Sequence, residues 1–110
     1  MQDRLSQKLQ ALADPTRRGM LARLARGQAT VNELAAPFDI SLPAISKHIK
    51  VLEKAGLITR SRSAQQRPCQ ISPDGLKEVD EWINAYRGMW EHNLDRLETY
   101  LATLTKEQQS

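Results

Sequence analysis

The chain has 110 residues, 40% hydrophobic and 26% charged, which is enough for one globular domain and too few for two independent cores. No apolar run approaches the roughly 18 residues of a membrane span, the first stretch lacks the apolar core of a signal peptide, and a single cysteine, Cys69, excludes an intrachain disulfide framework and suits a reducing cytoplasm. The net charge of +3 is unevenly spread: residues 41–70 carry Lys47, Lys50, Lys54, Arg60, Arg62 and Arg67 against Glu53 alone, whereas residues 72–104 carry three cations against seven carboxylates. A basic middle presented on one face is the electrostatic footprint of a polyanion partner.

Leu5, Leu9 and Leu12 mark one face of a first helix. Asp14-Pro15 restarts the chain, the aspartate as N-cap and the proline in the first turn, and a second helix runs to about Arg26 before Gly27 ends it. Thr30-Val31-Asn32-Glu33 has the spacing of a capping box and opens a short third helix through about Ala36, which Pro37 halts. Ser41 caps a fourth helix with Ile45, Ile49 and Leu52 inward, and Gly56 stops it. Only about four residues separate the third and fourth helices, the connection of a helix-turn-helix.

After Gly56 the period shortens. Residues 57–62 and 67–71 read as the strands of a hairpin around Ser63-Ala64-Gln65-Gln66, with Pro68 demoting its strand to an edge. Ser72-Pro73 opens the longest helix, about 73–104, in which Leu76, Val79, Ile83, Tyr86, Trp90, Leu94, Leu97, Leu101 and Leu104 recur at spacings of three and four. A helix of that length spans about 48 Å, more than a domain of this size can cover. Part of its stripe therefore needs another partner. The expected fold is mainly α with a small β-hairpin, about five helices in one domain over residues 1–110. It is a winged helix-turn-helix, with the helix-turn-helix at about 30–55 and the wing at about 57–71.

The run from Ser41 through Ile58, with Leu12-Ala-Asp-Pro-Thr-Arg-Arg and Thr30-Val-Asn-Glu-Leu-Ala upstream, resembles the ArsR-type winged helix-turn-helix regulators. Trp82-Ile-Asn-Ala-Tyr-Arg-Gly-Met-Trp-Glu resembles the last helix of a branch of that family without a metal site, so the likeness spans roughly residues 10–104. The resemblance implies a homodimeric repressor of the cytoplasm that binds an inverted-repeat operator in double-stranded DNA. The recognition helix of such a unit enters the major groove. Its outward residues here are Ser41, Leu42, Pro43, Ser46, Lys47, His48 and Lys50: Ser46 and Lys47 suit base edges, and Lys50 and Lys54 suit phosphate. His48 lies between the buried and exposed faces, and its local-packing and DNA-contact readings weigh equally. Arg62 and Arg67, nearest the wing tip, are the stronger arginine candidates for backbone or minor groove. Arg18 reads as structural, and Arg17 stays open.

Dimerisation follows from the same likeness and from surplus apolar surface. Similar regulators pair through their first and last helices, which makes Leu5, Leu9, Leu12, Trp90, Leu94, Leu97 and Leu101 the candidate interface. No metal or other cofactor is expected: Glu33-Leu-Ala-Ala-Pro-Phe-Asp lacks the family's thiolate pair, and His92 is the lone histidine of the last helix. Arg67 beside Cys69 favours a thiolate, but a lone cysteine is more often a packing residue. An effector, whether a small molecule or a redox signal, is left open. No phosphate loop, nucleophile elbow or credible triad is present, so no catalytic residue is expected. The competing reading is a winged helix used for protein assembly without sequence-specific DNA binding.

Overall fold

A computed structural model describes residues 3–62 and 65–109, with side chains through 106. The Ser63-Ala64 part of the expected turn lies outside the described residues. The order is α1 (Arg4–Leu12), α2 (Pro15–Leu24), α3 (Val31–Ala35), α4 (Leu42–Lys54), β1 (Ile58–Arg60), β2 (Cys69–Ile71) and α5 (Pro73–Gln109). It divides into two compact units, residues 1–79 and 80–110, with α5 contributing to both.

Local chemistry sets each boundary in the first unit. Asp3, Asp14, Thr30 and Ser41 sit in extended conformation before α1 to α4, and each side chain accepts a hydrogen bond from the amide three residues on. At α3 the box closes both ways: Glu33 N donates to Thr30 Oγ1 at 3.2 Å, and Thr30 N donates to Glu33 Oε1 at 3.1 Å. Such caps matter most for a helix of only five residues. Gly56 ends α4 at φ 81°, a left-handed conformation that glycine adopts without strain. α2 stops at Leu24, two residues before the sequence estimate, because the Ala25, Arg26 and Gly27 amides turn back onto carbonyls of its last turn.

Ala11, Met20, Leu34, Ile45, Ile49, Leu52, Leu57 and Ile58 are essentially inaccessible and join the four helices to the hairpin in one core. Burying a leucine, isoleucine or methionine side chain contributes about 1.5–3 kcal/mol. In α1 the buried positions are Ala11 and Lys8, not the leucine stripe, and Leu5, Leu9 and Leu12 are half-buried beside them. The Lys8 amine reaches Glu78 Oε2 at 2.7 Å, which satisfies its charge.

β1 and β2 pair antiparallel, with Ile58 opposite Ile71 and Arg60 opposite Cys69. Each strand is three residues long, shorter than expected. Pro68 does not make β2 a free edge: it precedes the strand, and Cys69 exchanges backbone hydrogen bonds with Ala29 on its other side, at 2.7 and 3.0 Å.

α5 is unbroken through Gly88 and ends five residues beyond the sequence estimate. Ser72 Oγ accepts from the Gly75 amide at its start. In the first unit Val79 is buried and Leu76 half-buried. In the second unit Ile83, Tyr86, Trp90, Leu94, Leu97, Leu101 and Leu104 are all exposed, Trp90 by 63%. Trp82 and Tyr86 meet edge to face with ring centroids 4.9 Å apart.

Candidate nucleic-acid interface

The outward face of α4 is built by periodicity. With Ile45, Ile49 and Leu52 buried, Pro43, Lys47, Lys50 and Lys54 recur at spacings of four, three and four and share one exposed face. Leu42, half exposed at the helix start, and half-buried Ser46 lie beside them. Three lysines with no acidic partner among the described residues make this face strongly basic. Ser41 is placed differently from its neighbours. Its hydroxyl oxygen accepts from Ala44 N at 3.3 Å, so its first task is to cap the helix.

The hairpin in the same unit adds cations with distinct roles. Arg62 and Arg67 are exposed, as expected of wing residues. Arg67 adopts φ 45°, which costs a non-glycine residue roughly 1–2 kcal/mol. That conformation accompanies a carbonyl which accepts from both Nε and Nη2 of Arg60, at 3.3 and 3.2 Å. Arg60 thus braces the hairpin.

Cys69 follows the packing reading rather than the thiolate one. It is wholly buried, and burial raises its thiol above the ordinary value despite the opposing influence of Arg60. It is a packing residue between the hairpin and Ala29.

Arg17 is the residue that sequence reasoning left open. Its Nε donates to Ala11 O at 2.7 Å and its Nη2 to Gln10 O at 3.1 Å, which satisfies carbonyls in the last turn of α1. Its Nη1 lies 3.2 Å from Nδ1 of His48, on the putting-together face of α2 and α4. His48 is half-buried there, and the Asp14 carboxylate stands 3.9 Å from the same ring nitrogen, too far for a hydrogen bond. Arg18 has the expected structural role, donating to Leu12 O at 2.7 Å. The only sequence signal for the Arg17 contact was an arginine three residues after a capping aspartate.

Comparison with known proteins settles the kinship of this arrangement. A family model described as "Helix-turn-helix domain" matches residues 12–61, from the end of α1 through the first strand of the wing. The chain is 46% identical over 84 residues to the HTH-type transcriptional regulator Rv2034 of Mycobacterium tuberculosis, covering 72% of this chain and 78% of that protein. It is 45% identical to an ArsR family transcriptional regulator of known crystal structure, RHA00566, with a TM-score of 0.74, covering 81% of this chain and 98% of that one. This chain belongs to the ArsR family. A further member-like relative, the transcriptional repressor SdpR of Bacillus subtilis, is 34% identical over 73 residues, covering 66% of this chain and 81% of that protein. As an ArsR-family winged helix-turn-helix, the chain is a DNA-binding transcriptional regulator, with α3 and α4 as the helix-turn-helix and β1–β2 as the wing.

Proposed function

We propose that the protein is a homodimeric repressor that reads an inverted-repeat operator with the outer face of α4. The observation that carries this reading is the basic, solvent-facing row Lys47, Lys50 and Lys54 on a well-capped helix, backed by exposed Arg62 and Arg67 on the wing. Ser46 and Lys47 read base edges, Leu42 and Pro43 touch thymine methyl groups, and Lys50, Lys54 and the wing arginines hold phosphate. The ArsR-family likeness supports a regulator without catalytic activity, acting in the cytoplasm. No helix among the described residues is long and apolar enough to cross a membrane.

Self-association is supported by α5. Six of its exposed apolar positions read alike in both directions about the point between Asn93 and Leu94: Ile83, Tyr86 and Trp90 on one side mirror Leu104, Leu101 and Leu97 on the other, whereas Trp82, Met89, Leu94 and Tyr100 fall opposite polar residues. Two copies of such a stripe match when they run antiparallel, one of the arrangements an isologous two-fold dimer permits. The half-buried leucines Leu5, Leu9 and Leu12 give α1 an apolar face of its own. A dimer sets two copies of α4 about one DNA turn, roughly 34 Å, apart.

The test is a fluorescence-anisotropy titration with DNA from the protein's own promoter region, against an unrelated duplex, at about 50 and 200 mM salt. Competitor-resistant, salt-sensitive binding at two subunits per site is the expected result. Equal binding to both duplexes would instead favour an assembly module. Repression itself is checked by a reporter on that promoter, whose output rises when the regulator is deleted.

A further inference from the structure

We propose that Arg17 is a positioning residue that presents His48 to the DNA backbone as a hydrogen-bond donor. The proposal rests on the reading of α4 as the DNA-contacting helix. A guanidinium carries only donors, so its 3.2 Å contact with His48 Nδ1 requires that nitrogen to accept through its lone pair. The ring proton is then on Nε2. Among the described residues Nε2 has no hydrogen-bond partner, and its half-buried side chain is carried by α4 one residue after Lys47.

The geometry is held from behind. Arg17 is fixed by two short bonds to Ala11 O and Gln10 O, and its own amide donates to Asp14 Oδ2 at 3.0 Å. A guanidinium tied to three neighbours has little freedom to swing, so it fixes both the tautomer and the tilt of the imidazole. The donor that results is neutral and directional. It anchors α4 against a phosphate oxygen without releasing a counterion, unlike Lys50 or Lys54.

Two measurements test this. In nitrogen-15-labelled protein, long-range proton–nitrogen spectra should show His48 with its proton on Nε2, and Arg17→Gln should shift the ring toward a mixture of tautomers. In DNA titrations His48→Ala should weaken binding to promoter DNA at least about ten-fold with an unchanged slope against salt. His48→Gln, whose amide can place an N–H near the Nε2 position, should recover part of the loss. Arg17→Gln should cost nothing further in the His48→Ala background. If Arg17→Gln does not fold, the contrast between His48→Gln and His48→Ala carries the test. A proton on Nδ1 in the wild type, additive losses, or binding that ignores His48 overturns the proposal alone. A wild type with no preference for promoter DNA overturns the parent reading as well.

Discussion

Gly75 approaches the carbonyl of Gly56 so closely that a Cβ on Gly75 would stand 1.8 Å from that oxygen. The start of α5 therefore rests directly on the chain that leaves α4, with the Ser72 amide donating to Leu57 O at 2.9 Å beside it. The clash would be with backbone, which cannot rotate away. Gly75→Ala should destabilise the fold by at least about 1–3 kcal/mol, the cost of overpacking, read as a lower urea midpoint. Gly88→Ala is the control: nothing lies within 4 Å of a Cβ there, and alanine favours the helix.

Base-reading and phosphate-holding residues should separate by their salt response. Ser46→Ala and Lys47→Ala should each weaken specific binding by about 1–3 kcal/mol while changing discrimination between operator variants. Lys50→Ala and Arg62→Ala should weaken binding to all sequences alike and lower the salt slope by about one each. Anisotropy titrations over several salt concentrations distinguish the two patterns, and uniform effects at all four positions would show that α4 reads no bases.

Charge placed in the mirrored stripe should separate the subunits. Leu97→Glu with Leu101→Glu puts carboxylates where two copies of α5 would meet, and burying unpaired charge is strongly unfavourable. Sedimentation velocity should show a monomer for the double variant and a dimer for the parent chain. Operator affinity should fall with the loss of the second recognition helix.

Acid should loosen the helix starts first. Backbone amides donate to the carboxylates of Asp3, Asp14 and Glu33, from Ser6, Arg17 and Thr30 respectively, and these bonds are the leading cause that lowers each group's pKa. Their stabilisation is fully present above the ordinary values of 3.8 for the aspartates and 4.5 for Glu33, and is lost as pH falls through the lower folded values. Denaturation monitored by circular dichroism should show stability declining below about pH 4.5. Asp14→Asn and Glu33→Gln should flatten that decline.

The residues that announced themselves in the sequence were those whose partners are near in the chain. Thr30 and Glu33, Ser41 and Ala44, and Gly56 at the end of α4 all act within a turn of helix, so spacing alone predicts them. Lys8 was illegible for the opposite reason: its pattern marks a solvated position, and its partner Glu78 lies seventy residues away. The bridge between Ala29 and Cys69 was hidden in the same way, so the sequence offered packing as the commoner role of Cys69 without showing what it packs against. At the candidate interface, periodicity placed the lysines of α4, but the Arg17–His48 contact joins residues thirty-one apart, and the arginine's place after its capping aspartate does not point to His48.

The paired hydrogen bonds between Ala29 and Cys69 tie the segment entering α3 to the second strand of the wing. Neither amide can meet solvent until that seam parts, so the two should exchange their protons for deuterium in step, at a rate set by one shared opening. The wing base and the helix-turn-helix would then come apart as a single cooperative unit rather than fraying separately.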